Sequence, residues 1–148
     1  MQEEIKVNIK RLSEDSKIPQ YAHPTDAGMD LYATNREIKG DIVSYNTGIA
    51  VKIPDGYVGL IFPRSSIYKY DLELVNSVGV IDSGYVGEIK LNFRCTYMPI
   101  TGITKLYEVG DRIGQLIVMP YPKVVFNEVS ELQSTDRGDG GFGSTGTK

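Results

Sequence analysis

Apolar and polar residues alternate along much of this chain. Ile5, Val7 and Ile9 are separated by Lys6 and Asn8. Ile49, Val51 and Ile53 repeat the spacing, and Ile89, Leu91 and Phe93 do so with Glu88, Lys90, Asn92 and Arg94 around them. A period of two turns one face of a strand toward a core and the other toward solvent or a partner. "YVGLIF" (57–62), "RIGQLIVM" (112–119) and "KVVFNEV" (123–129) read as further strands with more continuous burial. Turn signals at Pro54-Asp55-Gly56, Ser83-Gly84 and Gly110-Asp111 divide these runs. The Ser83-Gly84 step reads as the turn of a hairpin between two strands. Many short strands between Gly and Pro turns predict an all-β barrel or sandwich. One stretch departs from the pattern. After Pro63-Arg64, "SSIYKYDLEL" (65–74) opens with two candidate N-cap serines, and its ragged apolar spacing predicts one or two helical turns. "YMPITGITKLYEV" (97–109) reads as a loop or hairpin, and 130–136 as a polar connector to a glycine-rich end.

Composition narrows the class. The chain has 148 residues, enough for one domain with its own core. A net charge of -3 argues against a broad basic surface for nucleic acid, although a local arginine cluster for a small anion stays open. One cysteine, Cys95, and one histidine, His23, exclude an intrachain disulfide and a Cys/His zinc site. His23 lies in "YAHPTDAG" and reads as a loop histidine rather than a triad base. The charged, alternating start lacks a secretory core, and the longest apolar run, 116–119, is four residues. The expectation is a protein with no membrane span, in the cytoplasm, or in a host's cytoplasm if phage-encoded.

Five stretches carry more than a β fold requires. In "TDAGMDLYA" (25–33), Gly28 permits a turn before Asp30 enters a strand; Asp30 fits either a strand-edge carboxylate bonded to backbone or a site acid. In "PRSS" (63–66), Arg64, Ser65 and Ser66 meet a candidate helix start, which suits an anion or merely an N-cap beside a surface arginine. "NSVGVIDSGYVGEIKL" (76–91) brings Asp82 and Tyr85 to one turn; Asp82 is an Asx-turn residue or a base poised to act on water. Asn76 offers the donor and acceptor pair that suits a pyrimidine edge, or simply faces a loop. Gln115 in "GDRIGQLIV" (110–118) is a lone polar residue at the mouth of an apolar strand. The end, "RGDGGFGSTGTK" (137–148), has five glycines among twelve residues, which reads as a frayed tail. Yet Arg137 can fork onto phosphate, Phe142 can stack on a base, and Ser144 and Thr145 can serve an anion. GxxxxGK[ST] is absent, so this is no P-loop. Phosphate ligands, a candidate base, a base-reading amide and an aromatic lid together point to a nucleotide.

In their order and spacing, "DAGMDLYA", "PRSS", "GVIDSGYVGEI", "GDRIGQLIV" and "RGDGGFGSTG" resemble the five motifs of the trimeric dUTP pyrophosphatases over nearly the whole chain. The resemblance implies a compact jelly-roll-like β-barrel of the β-clip kind over residues 1–136, one short helix after the second motif, and a flexible lid at 137–148. It implies a homotrimer with active sites at subunit interfaces, Mg2+ as cofactor, and hydrolysis of dUTP to dUMP and pyrophosphate, with no nucleic acid or membrane as partner. Such a reaction limits uracil in DNA and supplies dUMP for thymidylate synthesis. Carried over position by position, Asp82 matches the general base for the water that attacks the α-phosphorus. Tyr85 matches the tyrosine that packs under deoxyribose. Asn76, with Gly79, Ile81 and Ile89, matches the uracil pocket. Arg64, Ser65, Ser66 and Gln115 match phosphate contacts, and Asp30 matches the aspartate that reaches the metal through water. Arg137, Phe142, Gly143, Ser144 and Thr145 match the lid. A dCTP deaminase shares the fold but needs an acid/base beside the ring; Glu88 is nearby, though the alternation turns it outward. A non-catalytic nucleotide sensor is the alternative of another class.

Overall fold

The computed structural model describes residues 3–97 and 103–148. In chain order the elements are β1 (Asn8–Arg11), β2 (Met29–Tyr32), β3 (Asn35–Lys39), β4 (Ile42–Lys52), β5 (Tyr57–Phe62), a 3-10 turn (Ser65–Lys69), β6 (Leu72–Leu74), β7 (Gly79–Ile81), β8 (Glu88–Cys95) and β9 (Arg112–Pro120). They form two antiparallel sheets, one ordered β1-β4-β8-β6 with β3 also on β4, the other β2-β9-β5-β7. The fold is all-β, as the alternation predicts, and jelly-roll-like, as the resemblance implies.

Strand β4 organises the first sheet because it is long enough to serve two partners along one edge. Its first half pairs with β3, from Asn35↔Asn46 to Lys39↔Ile42, and its second half with β1, from Asn8↔Lys52 to Arg11↔Ile49. On its other edge the register against β8 shifts between Asn46 and Ala50. Gly48 sits in that irregularity at φ +67, where a side chain would also collide with Ser16.

The core lies between the sheets. Alternate residues of β8, Ile89, Leu91, Phe93 and Cys95, are buried, while Lys90, Asn92 and Arg94 face out. Phe93, Tyr45 and Tyr107 meet edge to face, with ring centroids 5.7–6.1 Å apart. From the opposing sheet come Leu31, Ile61, Ile113 and Leu116. The sheets approach closely at Gly114, where a β-carbon would stand 2.6 Å from Leu91 Cδ2 and 3.1 Å from the Phe62 carbonyl. Burial raises the pKa of the Cys95 thiol, so it behaves as a small apolar filler.

Four expectations change. Ile5 and Val7 precede the first strand, which starts at Asn8. Ser83-Gly84 turns no hairpin: β7 pairs with β5 in one sheet and β8 with β4 and β6 in the other, so the turn carries the chain between sheets. The predicted strand at 123–129 is not formed. Past the Tyr121 N–H, which donates to the Gly56 carbonyl at 3.0 Å, the stretch up to 136 has no sheet partner among the described residues, and Val125 and Phe126 are 87% and 94% exposed. Its alternation is that of a strand, but β-structure needs an edge to pair with, and no edge of this fold takes it up. The helix is a five-residue 3-10 turn with Arg64 at the N-cap and no side-chain cap, so the two serines lie inside it. Of the stretch 97–109, residues 98–102 lie outside the described residues, and the rest contains no strand.

Candidate active site

Strand pairing sets the first part of the site. β2 and β9 are neighbours with Asp30 opposite Gln115. The Gln115 amide reaches across to donate to the Pro63 carbonyl at 2.9 Å, which ties β9 to the connection that carries Arg64. Gly28 makes room for it, since a β-carbon there would stand 2.3 Å from Gln115 Oε1. Gly28 thus lies in the bend before β2, where the sequence places a turn, and also supplies this space.

Asp30 lies between two guanidiniums. Arg64 Nε is 3.5 Å from one carboxylate oxygen and Arg112 Nη1 3.5 Å from the other, and the side chain is only 15% exposed. One acid thus holds two cations side by side despite their mutual repulsion, in a partly desolvated place where screening is weak. Arg64 also donates to Ser66 Oγ at 3.4 Å. Asp30, Arg64, Ser65, Arg112 and Gln115 share a cavity of about 430 Å³ with Asp26 and His23. The exposed His23 is fixed at this rim because its backbone N–H donates to the Asp26 carboxylate at 2.9 Å. A five-residue 3-10 turn has little dipole to offer, so positive potential here comes from the two arginines.

The second part surrounds the sheet-crossing turn. Ile81 ends β7, and Ile89 sits near the start of β8; both are buried. Between them the Tyr85 N–H donates to the Asp82 carbonyl at 3.1 Å, and the Tyr85 hydroxyl donates to the Glu88 carbonyl at 2.7 Å. The ring can lie down because Gly87 has no side chain; a β-carbon there would stand 2.7 Å from the Tyr85 oxygen. Lys52, at the end of β4, donates to the Ser83 carbonyl and holds the turn from outside. The Asp82 carboxylate is exposed and makes no hydrogen bond or ion pair among the described residues. A cavity of about 220 Å³ is lined by Ile81, Asp82, Tyr85, Glu88 and Ile89. Gly79, on β7, leaves space beside Asn76, whose amide nitrogen would be 3.6 Å from a β-carbon at Gly79. Ser77, with φ +59, forces the bend between Asn76 and that strand.

Glu88 is not the outward-facing acid of the sequence reading. Its carboxylate accepts from Asn46 Nδ2 at 2.8 Å and from the Gly48 N–H at 3.0 Å, and it clamps the irregularity in β4. A carboxylate held this way is poorly placed for proton transfer to a pyrimidine ring, which removes the main support for a deaminase.

The third part is the tail. Arg137 Nε donates to the Gly140 carbonyl at 2.9 Å, the Gly140 N–H donates back to the Arg137 carbonyl, and Ser144 and Gly146 close turns onto Gly141 and Gly143. Phe142 stands fully exposed at φ +51. Among the described residues, the tail's hydrogen bonds stay within 135–146. The fold joins Asp30, Arg64, Ser65, Ser66 and Gln115 in one cluster and Asp82, Tyr85, Ile81 and Ile89 in another. It leaves Arg137, Phe142, Gly143, Ser144 and Thr145 apart from both.

Sequence reasoning missed Arg112, Gly87 and Lys52. Arg112 stood in a quoted motif, and its place next to Asp111 at a strand start was the available signal. Gly87 and Lys52 act through contacts that no local pattern announces. The described residues contain no group of three or more His, Cys, Asp or Glu able to hold a metal. Asp26 and Asp30 are hard oxygen donors at the cavity, and Asp30 is already committed to two arginines. This set fits a Mg2+ ion that arrives on phosphate oxygens and keeps most of its waters, not an all-protein cage.

A family model for dUTPase matches residues 14–146. The deoxyuridine 5'-triphosphate nucleotidohydrolase of Thermobifida fusca is 44% identical over 145 residues, covering 96% of this chain and 79% of the relative. That of Gloeobacter violaceus is 39% identical over 148 residues, covering 96% and 97%. Among solved structures, a mutant dUTPase of Staphylococcus bacteriophage 80alpha with dUpNHpp superposes with a TM-score of 0.78 at 28% identity, over 96% of this chain and 99% of that one. A mutant dUTPase from phage phi11 of S. aureus, described with a structural Mg(II) ion, gives 0.71 at 25% identity, over 86% and 98%. With the family model spanning both cavities and the tail, this chain belongs to the dUTPase family.

Proposed function

We propose that this chain hydrolyses dUTP to dUMP and pyrophosphate, with Mg2+, as a homotrimer whose active sites draw on more than one chain. The observation that supports this best is the division of the site. The arginine cluster, the Asp82–Tyr85 turn and the tail are each built locally, yet no hydrogen bond, ion pair or shared cavity joins them among the described residues. The uncovered arm at 121–136 supports it independently, because its apolar side chains need a surface that this chain does not supply.

In this reading Arg64, Ser65, Ser66 and Gln115 hold the phosphate chain, and Arg112 keeps Asp30 and Arg64 in place. Gly79 and Ile89 present backbone groups, and Asn76 its amide, to the uracil edge; such readout discriminates better than shape. Tyr85, fixed by its bond to Glu88, packs under the deoxyribose where a 2′-hydroxyl would clash. Asp82 accepts a proton from the water that attacks the α-phosphorus. The α–β P–O bond then breaks, and pyrophosphate leaves with the bonding electrons. Asp26 and Asp30 would meet a Mg2+ ion through its waters, and the charge it would supply would offset part of the roughly four negative charges of the triphosphate. The tail closes as a lid: Arg137 forks onto phosphate, Phe142 covers the base, and Gly143, Ser144 and Thr145 meet the terminal phosphate.

Pyrophosphate release measured across dUTP, dCTP, dTTP and UTP with Mg2+ tests the activity; a strong preference for dUTP is expected. Ammonia from dCTP, or tight binding without turnover, overturns it. Asp82→Asn should lower kcat about 100- to 10,000-fold with dUTP binding retained. Sharing is tested by mixing that variant with a chain truncated before Arg137. Each alone should be nearly inactive and refolded mixtures should regain turnover; no regain means that each site is built within one chain.

A further inference from the structure

Arg64 and Arg112 also line a second cavity, of about 370 Å³, with Lys17, Tyr32, Tyr70 and Asp111. Three cations therefore face one space that holds a single carboxylate. Asp111 is partly engaged, since Oδ2 accepts the Glu108 N–H at 2.7 Å. Lys17 has no carboxylate partner among the described residues; its ammonium lies over the Tyr32 ring, 4.8 Å from the centroid. A further ammonium, that of Lys105, stands 5.1 Å from the Tyr70 ring centroid.

Tyr70, on the wall of this cavity, packs on a buried tyrosine. Tyr107 is fully buried, its ring centroid is 4.1 Å from that of Tyr70, and its hydroxyl has no hydrogen-bond partner among the described residues. Burial, and then Tyr70, push its pKa up to about 12, so the group remains a neutral donor. An acceptor placed among Lys17, Arg64 and Arg112 is best satisfied as an oxyanion.

We propose that this second cavity is a binding site for phosphate-class oxyanions, coupled to the substrate cavity through Arg64 and Arg112. Lys17 and Tyr70 serve this site alone, whereas the two arginines face both. An anion here competes with Asp30 and with a bound triphosphate for the same guanidiniums, so the two sites weaken each other reciprocally. The reaction's own pyrophosphate and free orthophosphate carry the same chemistry. Through this site either would weaken dUTP binding and oppose turnover without occupying the substrate cavity.

The test is steady-state dUTP hydrolysis by the full chain with added pyrophosphate or orthophosphate, for the wild type, Lys17→Gln and Lys17→Glu. Mixed inhibition is expected for the wild type, with kcat falling as well as KM rising. Each Lys17 variant should weaken the effect on kcat by about tenfold, the scale of one lost charge-assisted contact, while kcat and KM without added anion stay unchanged. Lys17 is exposed, so both variants should keep the wild-type melting temperature. If pyrophosphate alone produces mixed inhibition, the site takes the product; if orthophosphate does so too, it takes any phosphoryl anion. Purely competitive inhibition of the wild type by both anions, or mixed inhibition that neither Lys17 variant changes, overturns the proposal.

Discussion

The sheets and the C-terminal stretch use the same alphabet to different ends. In β8, Ile89, Leu91 and Phe93 alternate with polar residues and are buried by the opposing sheet. In 121–136, Val124, Val125, Phe126 and Val129 are equally apolar and stand in solvent. The two stretches differ in what lies opposite. Strand β8 has β4 and β6 to pair with and a second sheet to cover it, whereas the arm, past the bond from the Tyr121 N–H to the Gly56 carbonyl, pairs with no edge among the described residues. Alternation thus records which side of a strand needs cover, and it leaves open which molecule provides it.

This contrast can be broken by mutation. Phe93→Ala should cost about 3–5 kcal/mol in unfolding experiments, because it opens a cavity between rings that cannot collapse. Phe126→Ala should leave the stability of the β body unchanged and instead weaken self-association in sedimentation experiments. If both mutations lowered stability alike, the arm would be packed on its own body. Truncation before Arg137 should lower kcat about 100-fold or more while leaving melting temperature and oligomeric state intact, since the tail contributes positioning rather than packing. Full turnover without the tail would end its assignment as a lid. Phe142→Ala should weaken binding of a non-hydrolysable dUTP analogue by about 1–3 kcal/mol if the ring stacks on the base. An unchanged affinity removes that role. Lys52→Met should have the smallest effect, about 1 kcal/mol, seen in kcat more than in KM, because it loosens the turn that carries Asp82 without touching substrate. Wild-type kinetics would show that the turn holds itself.

Much of the fold was legible because periodicity is local. β8 follows the alternation closely, β5 matches the expected stretch 57–62, and β9 extends the expected strand by a single residue, to Pro120. The misreadings were of things set at a distance. Ser83-Gly84 looks like a hairpin in sequence, but pairing is decided by which sheet each flanking strand joins. Ser65 and Ser66 look like caps, but the turn starts one residue earlier, with Arg64 extended at φ -78 and ψ 155. In the site, chemically distinctive residues such as Asp82, Arg64 and Gln115 could be picked from the motifs. Their supports could not. Nothing in "DAGMD" says that Gly28 exists to admit an amide from a strand nearly ninety residues away. Glu88 reads as a solvent-facing acid until its backbone partner at Gly48 is seen.

The hydrogen bonds of the tail, all turned inward, bear on timing. A segment with five glycines among twelve residues has unusually many conformations to lose, and each ordered residue costs roughly 1–2 kcal/mol in backbone freedom. On the proposed reading, only an intact triphosphate and base together offer enough contacts to offset that loss. Once the α–β bond is cut, the contacts are divided between two smaller molecules, and neither holds the lid by itself. Chain entropy then reopens the site, so the same glycines that make closure expensive act as a release spring for the products.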